Sequence, residues 1–355
     1  MDFSAYKGSL ELWFLDRKQE EFPKGTTDYV AYYRTIIDKL KPIQKQVNAG
    51  ADFTDDTSLT WHDESHIKRV IEQISKLLSY TEAKLSPFEA FNLLVAAQIH
   101  DIKNIEGREE HENRAISIFD DLGITGIIDS RIVRNIGFIA SCHAGSYIWL
   151  EKKEKDKIGT LLQSNLYTGD SKIRPQFLAA LLRLADEYAD DSVRAMSFLL
   201  KTGKIKQGSI IHQKHAESLH DVEIEANTGI VTFDYEFSID SAITKFPKYL
   251  KHLEAVQDSF LLDEIFERTI KSHFETVYCM RFLRPHISIN KIIVSIVIAN
   301  KDIKRPLKID YELVEKGYPN ESLNIIDLCG EKIKYNGGHW SGQNLSDYIT
   351  TENLL

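Results

Sequence analysis

The stretch FNLLVAAQIHD, residues 91–101, places a histidine and an aspartate at the end of an almost wholly apolar run. Pro87 lies four residues before this run, and proline is favoured in the first turn of a helix, so we expect a buried helix that begins there. An imidazole and a carboxylate are costly to bury unless both have partners. The pair His100-Asp101 therefore predicts a polar site of the kind that helical bundles build from facing side chains.

Outward from this helix, further candidate ligands lie at or near predicted helix ends or on helix faces. The helical spacing of apolar residues predicts helices at 66–78, 111–122, 130–144 and 174–190. These helices carry, in order, His66, His111, His143 and Asp186. Imidazole and carboxylate suit zinc, manganese, iron and magnesium. Because an aspartate can bridge two cations, and bridged cations can clamp a phosphate and generate hydroxide near neutral pH, the series predicts phosphoester chemistry.

Each member of the series also has a plainer interpretation. A single histidine is more often a hydrogen-bonded core residue than a ligand, and the dipeptide His-Asp also occurs at positions 62 and 220. Those two pairs lie in polar loops, whereas His100-Asp101 ends an apolar helix. The ordered series is therefore more informative than any one of its members.

Composition and charge exclude several classes of function. The chain has 355 residues, with 44 Lys+Arg against 53 Asp+Glu and a net charge of −9, which disfavours broad binding to nucleic acid. A small anion could still bind in a metal-loaded pocket. The three cysteines are far apart and form no CxxC, so we expect neither disulfides nor a structural zinc. The first residues lack a signal-peptide pattern and the longest apolar run is too short to span a membrane, so the sequence predicts a cytoplasmic protein without membrane contact.

The pattern changes from helical to mixed at about residue 205. We predict strands at 209–212, 221–225 and 230–237, a helical region at 247–280, and strands again after residue 285. His212, His215 and His220 are then expected to be solvated side chains of a hairpin. The predicted segments are an N-terminal helical extension at 1–55, a metal-binding helical core at 56–200, a β-hairpin insertion with supporting helices at 201–282, and a C-terminal α+β appendage at 283–355.

The ordered ligand series resembles the pattern of the HD superfamily of metal-dependent phosphohydrolases, which runs from a first histidine through a His-Asp doublet to a final aspartate. The matching stretches are DESHIKRVI, AAQIHDIKN, EEHENRAISIF, FIASCHAG and LAALLRLADEYAD. They cover roughly residues 60–195, and the two additional histidines are typical of the binuclear branch. The chain is most similar to HD modules with a β-hairpin insertion, some of which are linked to GHKL-type ATPases.

The resemblance implies a fold, a ligand set and a reaction. The fold class is expected to be mainly α, an HD-type helical bundle with an inserted β-hairpin and a small C-terminal α+β segment. By resemblance, one divalent ion is held by His66, His100, Asp101 and Asp186, and a second by Asp101, His111 and His143. The ions (Mn, Fe, Mg, Zn, Ni or Co) would activate a hydroxide that hydrolyses a nucleotide-like phosphoester.

Three basic residues are candidate contacts for the phosphate. Lys103 follows the doublet and is also a candidate catalytic residue beside Asp101, the alternative being a solvated loop lysine. Arg114 lies three residues after His111, so it shares a helical face with that ligand and could bind phosphate; the alternative is a surface ion pair with Glu110. Arg194 either closes the site or forms a salt bridge with the acidic pair before it.

Two other functions stay open at the level of sequence. A non-catalytic HD module could sense a nucleotide and signal to a protein partner, or form a homo-oligomer, through the C-terminal segment. An HD nuclease would require a basic groove. His111-Glu112 does not form a zinc-protease motif, because Ala115 stands where that motif needs a histidine.

Overall fold

The computed structural model describes residues 1–47, 63–79, 81–107, 111–124, 126, 128–144, 147–149, 152–250, 252–299, 306–315 and 324–351, with the backbone alone for 147–149 and 152–154. The fold is mainly α-helical with a smaller β part, which confirms the predicted fold class. The chain forms two compact units. The first comprises Met1–Phe53, His62–Ala189 and Cys279–Ser288, and the second comprises Thr54–Trp61, Asp190–Tyr278 and Ile289–Leu355.

The α-helices are numbered here in chain order over the described residues. They are α1 (Leu10–Leu15), α2 (Tyr29–Gln44), α3 (Glu64–Leu78), α4 (Pro87–Ile99), α5 (His111–Arg114), α6 (Ile118–Asp121), α7 (Ser130–Ser141), α8 (Lys157–Leu161), α9 (Pro175–Glu187), α10 (Ser197–Lys201), α11 (Ile210–Ser218), α12 (Ile239–Ile243), α13 (Leu261–Leu283), α14 (Ile325–Cys329) and α15 (Gly342–Thr351). Short 3₁₀ turns occupy, among other places, Ile102–Glu106 and Ala115–Ser117.

The strands are short and mostly form two-stranded ladders. They are β1 (Tyr147–Trp149), β2 (Lys152–Glu154), β3 (Leu166–Thr168), β4 (Ser171–Ile173), β5 (Leu219–Glu225), β6 (Ile230–Phe237), β7 (Lys245–Leu250), β8 (Ala255–Phe260), β9 (Lys291–Ile298), β10 (Leu307–Val314), β11 (Lys334–Tyr335) and β12 (Gly338–His339). One larger sheet has the order β10-β9-β6-β5.

Helix α4 is the centre of the first unit. Ser86 and Glu89 form a capping box at its start, Pro87 occupies the first turn, and every residue from Phe88 to Ile99 is buried. The helix packs against α1, α2, α3, α7 and α9. Because each fully buried large apolar side chain contributes about 1.5–3 kcal/mol, this packing fixes the position of whatever follows Ile99.

A buried ion pair aligns the starts of α4 and α9. Arg174, the residue before α9, donates through Nε to Glu89 Oε1 at 2.8 Å and through Nη2 to Glu89 Oε2 at 3.0 Å. The Glu89 side chain is 6% exposed and that of Arg174 is 19% exposed. This two-pronged geometry specifies orientation as well as distance. The two helices therefore start together and run towards the candidate ligands at their other ends.

The larger sheet belongs to the second unit and unites two parts of the chain that the sequence analysis separates. Strands β5 and β6 come from segment 201–282 and strands β9 and β10 from segment 283–355, and β6 pairs with β9 in parallel. Gly229, with φ of 73°, occupies the turn between β5 and β6. Buried residues alternate along β6 and β9, so one face of the sheet forms a core.

Two predicted elements are wrong. Residues 209–212 do not form a strand, because most of them begin helix α11; a run as short as Ile210-Ile211 does not distinguish strand from helix. The predicted helix at 247–280 begins only at Leu261, after the hairpin of β7 and β8. Tyr249, Leu253 and Val256 have helical spacing, yet Leu253 and Val256 are exposed and stabilise no helix face.

Candidate metal centre

The six candidate ligands lie in the first unit, near the ends of different helices. His66 is in the first turn of α3, His100 caps α4 and Asp101 follows it, and His111 is the first residue of α5. His143 lies two residues beyond α7, and Asp186 is in the last turn of α9. Since the helices are positioned by their own packing, the ligands are brought together without help from long loops.

The first donor group consists of His66, His100, Asp101 and Asp186, whose candidate ligand atoms lie within 4.8 Å of one another. His66 Nε2 lies 3.1 Å from Asp186 Oδ1, and His100 Nε2 lies 3.2 Å from Asp101 Oδ2. The histidine side chains are fully buried, and Asp186 is 23% exposed. Two imidazoles and two carboxylates at this spacing can hold a metal ion.

The second donor group shares Asp101 with the first and adds His111 and His143. Asp101 Oδ1 lies 3.1 Å from His111 Nε2 and 3.4 Å from His143 Nε2. Its other oxygen, Oδ2, faces His66 and His100 at 3.6 Å and 3.2 Å. The two oxygens of one carboxylate therefore face two different sets of imidazoles.

The hydrogen bonds of the histidines leave Nε2 available for a metal. His100 Nδ1 lies 2.8 Å from the carbonyl of Ala97, and His143 Nδ1 lies 2.7 Å from the carbonyl of Ala140. A carbonyl can only accept, so Nδ1 carries a proton, and Nε2 is the nitrogen that faces the site and can give its lone pair to a metal. Among the residues that the structure describes, the buried Nε2 of His100 has no hydrogen-bond partner. A cation would satisfy the lone pair of such a buried imidazole nitrogen, so the residues fit a divalent metal.

The pKa shifts within the first group reflect strong mutual attraction. Burial opposes ionisation of Asp101 and Asp186, yet the neighbouring imidazoles hold both carboxyl pKa values well below their usual range. Burial likewise opposes the charged form of His100, but the two carboxylates outweigh it and raise its pKa. Burial raises the pKa of Cys142, next to His143, to about 12, so its thiol stays protonated and supplies no thiolate ligand.

The three predicted phosphate contacts have protein partners. Lys103 is buried rather than solvated, and its Nζ contacts Glu106 and, at 2.5 Å, Asp121 Oδ2. Arg114 lies 3.4 Å from Glu106 and donates to the carbonyl of Gly107 at 2.8 Å. Glu110, the alternative partner of Arg114 expected from the sequence, lies outside the described residues.

Arg194 belongs to the second unit, where its Nη1 donates to Asp190 Oδ1 at 2.9 Å. The predicted salt bridge with the acidic pair is therefore present in the structure. His215, expected to be solvated, is buried on α11, so that expectation is wrong. His212 is on the same helix and contacts Glu264 through Nδ1 at 2.9 Å.

Sequence reasoning missed two polar residues beside the second donor group. Glu112 Oε2 lies 3.3 Å from His111 Nδ1, and Lys157 Nζ lies 3.9 Å from Glu112 Oε1. The dipeptide His-Glu is the signal that could have identified Glu112 as a partner of the histidine. No local pattern indicates Lys157, because its contact with Glu112 is made only by the tertiary fold.

No helix in the described part of the chain is long and apolar enough to cross a membrane.

Comparison with protein-family models identifies the family of the chain. No curated protein and no solved structure matches the chain. The family model HD-CE matches residues 50–265, which is more than half of the chain and includes all six candidate ligands. The resemblance to HD proteins is thereby confirmed, and the chain belongs to the HD-CE family.

Proposed function

We propose that this protein is a metal-dependent phosphohydrolase or phosphodiesterase that hydrolyses a nucleotide-like phosphoester. The observation that supports it most is the position of Asp101, whose two oxygens face separate histidine sets at 3.1–3.6 Å. A carboxylate in this position is suited to bridge two cations. All six ligands are present with the donor types that hydrolytic metal centres use.

The chemistry of the centre divides between its cations and its protein groups. Two bound divalent ions would polarise a phosphoryl oxygen and lower the pKa of a bound water molecule to near neutrality. His66 and His100 orient one oxygen of Asp101, and His111 and His143 orient the other. Asp186 contacts His66 and His100. Because none of these side chains is more than 23% exposed, bulk water is largely excluded and electrostatic interactions in the site are strengthened.

Lys103, Arg114 and Arg194 remain proposed substrate contacts, with different requirements. Lys103 would have to exchange one of its two carboxylate partners for a phosphate oxygen. Arg114 is partly exposed, and its guanidinium would have to turn from Glu106 and the Gly107 carbonyl to reach a phosphate. Asp101 and Lys103 are the proposed catalytic residues. The proposed segments remain those of the sequence analysis, with residues 56–200 supplying the metal core.

The carboxylate partners of Lys103 support a second candidate function. Its charge is already offset by Glu106 and Asp121, which favours a centre that retains metal without turning over a phosphoester. In that case the protein would be an HD module that senses a nucleotide and signals to a partner. Metal binding is common to both functions, so turnover is the observation that separates them.

We predict that Asp101→Ala abolishes both metal retention and turnover, because both donor groups lose an oxygen of the one carboxylate that they share. Metal analysis of the purified variant, followed by a screen of nucleotides and cyclic dinucleotides with added Mn²⁺, measures both effects. Asp120→Ala, which removes an exposed carboxylate of α6, is the matched control and should behave as wild type.

The outcomes separate the alternatives. Turnover by wild type and its loss in Asp101→Ala support the hydrolase. Metal retained by wild type, with no turnover of any phosphoester, favours the sensor. Full metal content and full activity in Asp101→Ala would show that the assignment of the centre is wrong.

A further inference from the structure

His111 is supported differently from two of the other histidines of the centre. The Nδ1 atoms of His100 and His143 face main-chain carbonyls within their own helical turns. His111 Nδ1 instead lies 3.3 Å from a carboxylate oxygen of Glu112. Both side chains are 12% exposed, so this contact is largely shielded from water.

Glu112 in turn lies beside a fully buried lysine. Lys157 is the first residue of α8, and its Nζ is 3.9 Å from Glu112 Oε1 and 3.2 Å from Asn113 Oδ1. Asp156 caps this helix by accepting from the amide of Gly159 at 3.1 Å. The cap fixes the start of α8, and the ammonium group of Lys157 contacts the two residues that follow His111.

The order imidazole, carboxylate, ammonium has a known physical effect on a metal ligand. A carboxylate on the second ring nitrogen fixes the tautomer and the ring orientation, and it raises the basicity of the nitrogen that binds metal. A buried lysine needs a compensating anion, so Lys157 in turn fixes the carboxylate. Glu112 is not itself in either donor group of the described residues.

We propose that Glu112, held by Lys157, is a positioning residue that sets the affinity of the group Asp101, His111 and His143 for its cation. The inference rests on the proposed function only in that it requires both donor groups to bind metal. It predicts that one group can be weakened through Glu112 while the other is unchanged, since His66 and Asp186 have no part in this contact chain.

Titration of the metal-free protein with Co²⁺, followed by the visible ligand-field bands, tests the proposal without an activity assay. Wild type should bind two equivalents. Glu112→Ala should bind the first as wild type does and the second about 10–100-fold more weakly. Glu112→Gln should recover part of this loss, because the amide oxygen still accepts from Nδ1 but carries no charge. Glu82→Ala, an exposed glutamate of the same unit, is the control.

A second variant guards against misfolding. Glu112→Ala leaves Lys157 buried without this carboxylate, whereas Glu112→Ala with Lys157→Met removes both charges. The double variant should fold and still show the weakened second equivalent. Wild-type affinity for both equivalents in either variant would overturn the proposal, and so would a Glu112→Gln protein that is no better than Glu112→Ala.

The failure of this inference can be told apart from failure of the proposed function. Two equivalents in wild type, a weakened second one in Glu112→Ala and no turnover would overturn the hydrolase while supporting the role of Glu112. Fewer than two equivalents in wild type would overturn both.

Discussion

His215 shows how burial decides the behaviour of a single titratable side chain. It lies inside the second unit, with Nε2 3.2 Å from the hydroxyl of Tyr235 and Nδ1 4.0 Å from Asp190. Burial lowers its pKa to about 4, even though the Asp190 carboxylate opposes the shift. The imidazole is therefore neutral in the folded protein at every pH near neutrality.

This shift predicts an acid-sensitive contribution to stability. The unfolded chain takes up the proton near pH 6.5 and the folded chain only near pH 4. As the pH is lowered from 6.5 to 4, the free energy of unfolding should therefore fall by up to about 1.4 kcal/mol per pH unit. Urea unfolding at several pH values measures the slope. His215→Gln should reduce this slope by the contribution of one proton. Replacing the exposed His220 by Gln should leave the slope unchanged. An unchanged slope in His215→Gln would contradict the prediction.

At the scale of elements, α4 and α9 position three of the four members of the first donor group, His100, Asp101 and Asp186. Both begin at a proline after a residue that is tied into the Glu89–Arg174 contact, and both end at ligands. Because a helix rises by about 1.5 Å per residue, fixing the starts of the two helices also fixes the positions of their far ends. The ion pair is thus remote from the metal ligands and yet governs their alignment.

We predict that Arg174→Ala destabilises the protein by about 3 kcal/mol, because it leaves the buried Glu89 carboxylate without this partner. Arg131→Ala, which breaks an exposed pair with Asp129, is the matched control and should cost less than about 1 kcal/mol. Chemical unfolding of both variants gives the comparison. Equal losses would mean that the Glu89 pair has no special role.

Much of the helical part and of the ligand set could be predicted from the sequence. Helices α4 and α9 are long, apolar and begin at proline, so local pattern and tertiary packing agree. The hairpin of β7 and β8 could not be predicted, because its apolar residues have the spacing of a helix face. The contact of Lys157 with Glu112 spans 45 positions of the chain and depends on packing alone.

At the scale of the whole molecule, a chain of net charge −9 concentrates its metal-binding groups in one of two units. The family match extends past the first unit to residue 265, so the similarity to HD-CE proteins is not restricted to the ligand-bearing helices. Binding of cations to folded protein alone should stabilise it by mass action.

We therefore predict that Mn²⁺ raises the free energy of unfolding by about 2.7 kcal/mol at a concentration one hundred times its dissociation constant. Hydrogen exchange with and without Mn²⁺ should show added protection near the ligand ends of α3, α4, α7 and α9. Strands β9 and β10 serve as the internal reference. Equal gains in those strands would contradict a centre confined to the first unit.

The direction of the helices around the centre has a further consequence. Among the helices of at least three turns, α4, α7 and α9 end beside the candidate ligands, whereas α3 begins there; α5, which begins at His111, has only four residues. Each C-terminal end contributes roughly half a unit of negative charge and each N-terminal end a similar positive charge, so the backbone adds about one net negative charge to the two carboxylates. Such a field attracts divalent cations and repels phosphates. For the proposed hydrolase, we therefore expect the cations to bind first and the anionic substrate second.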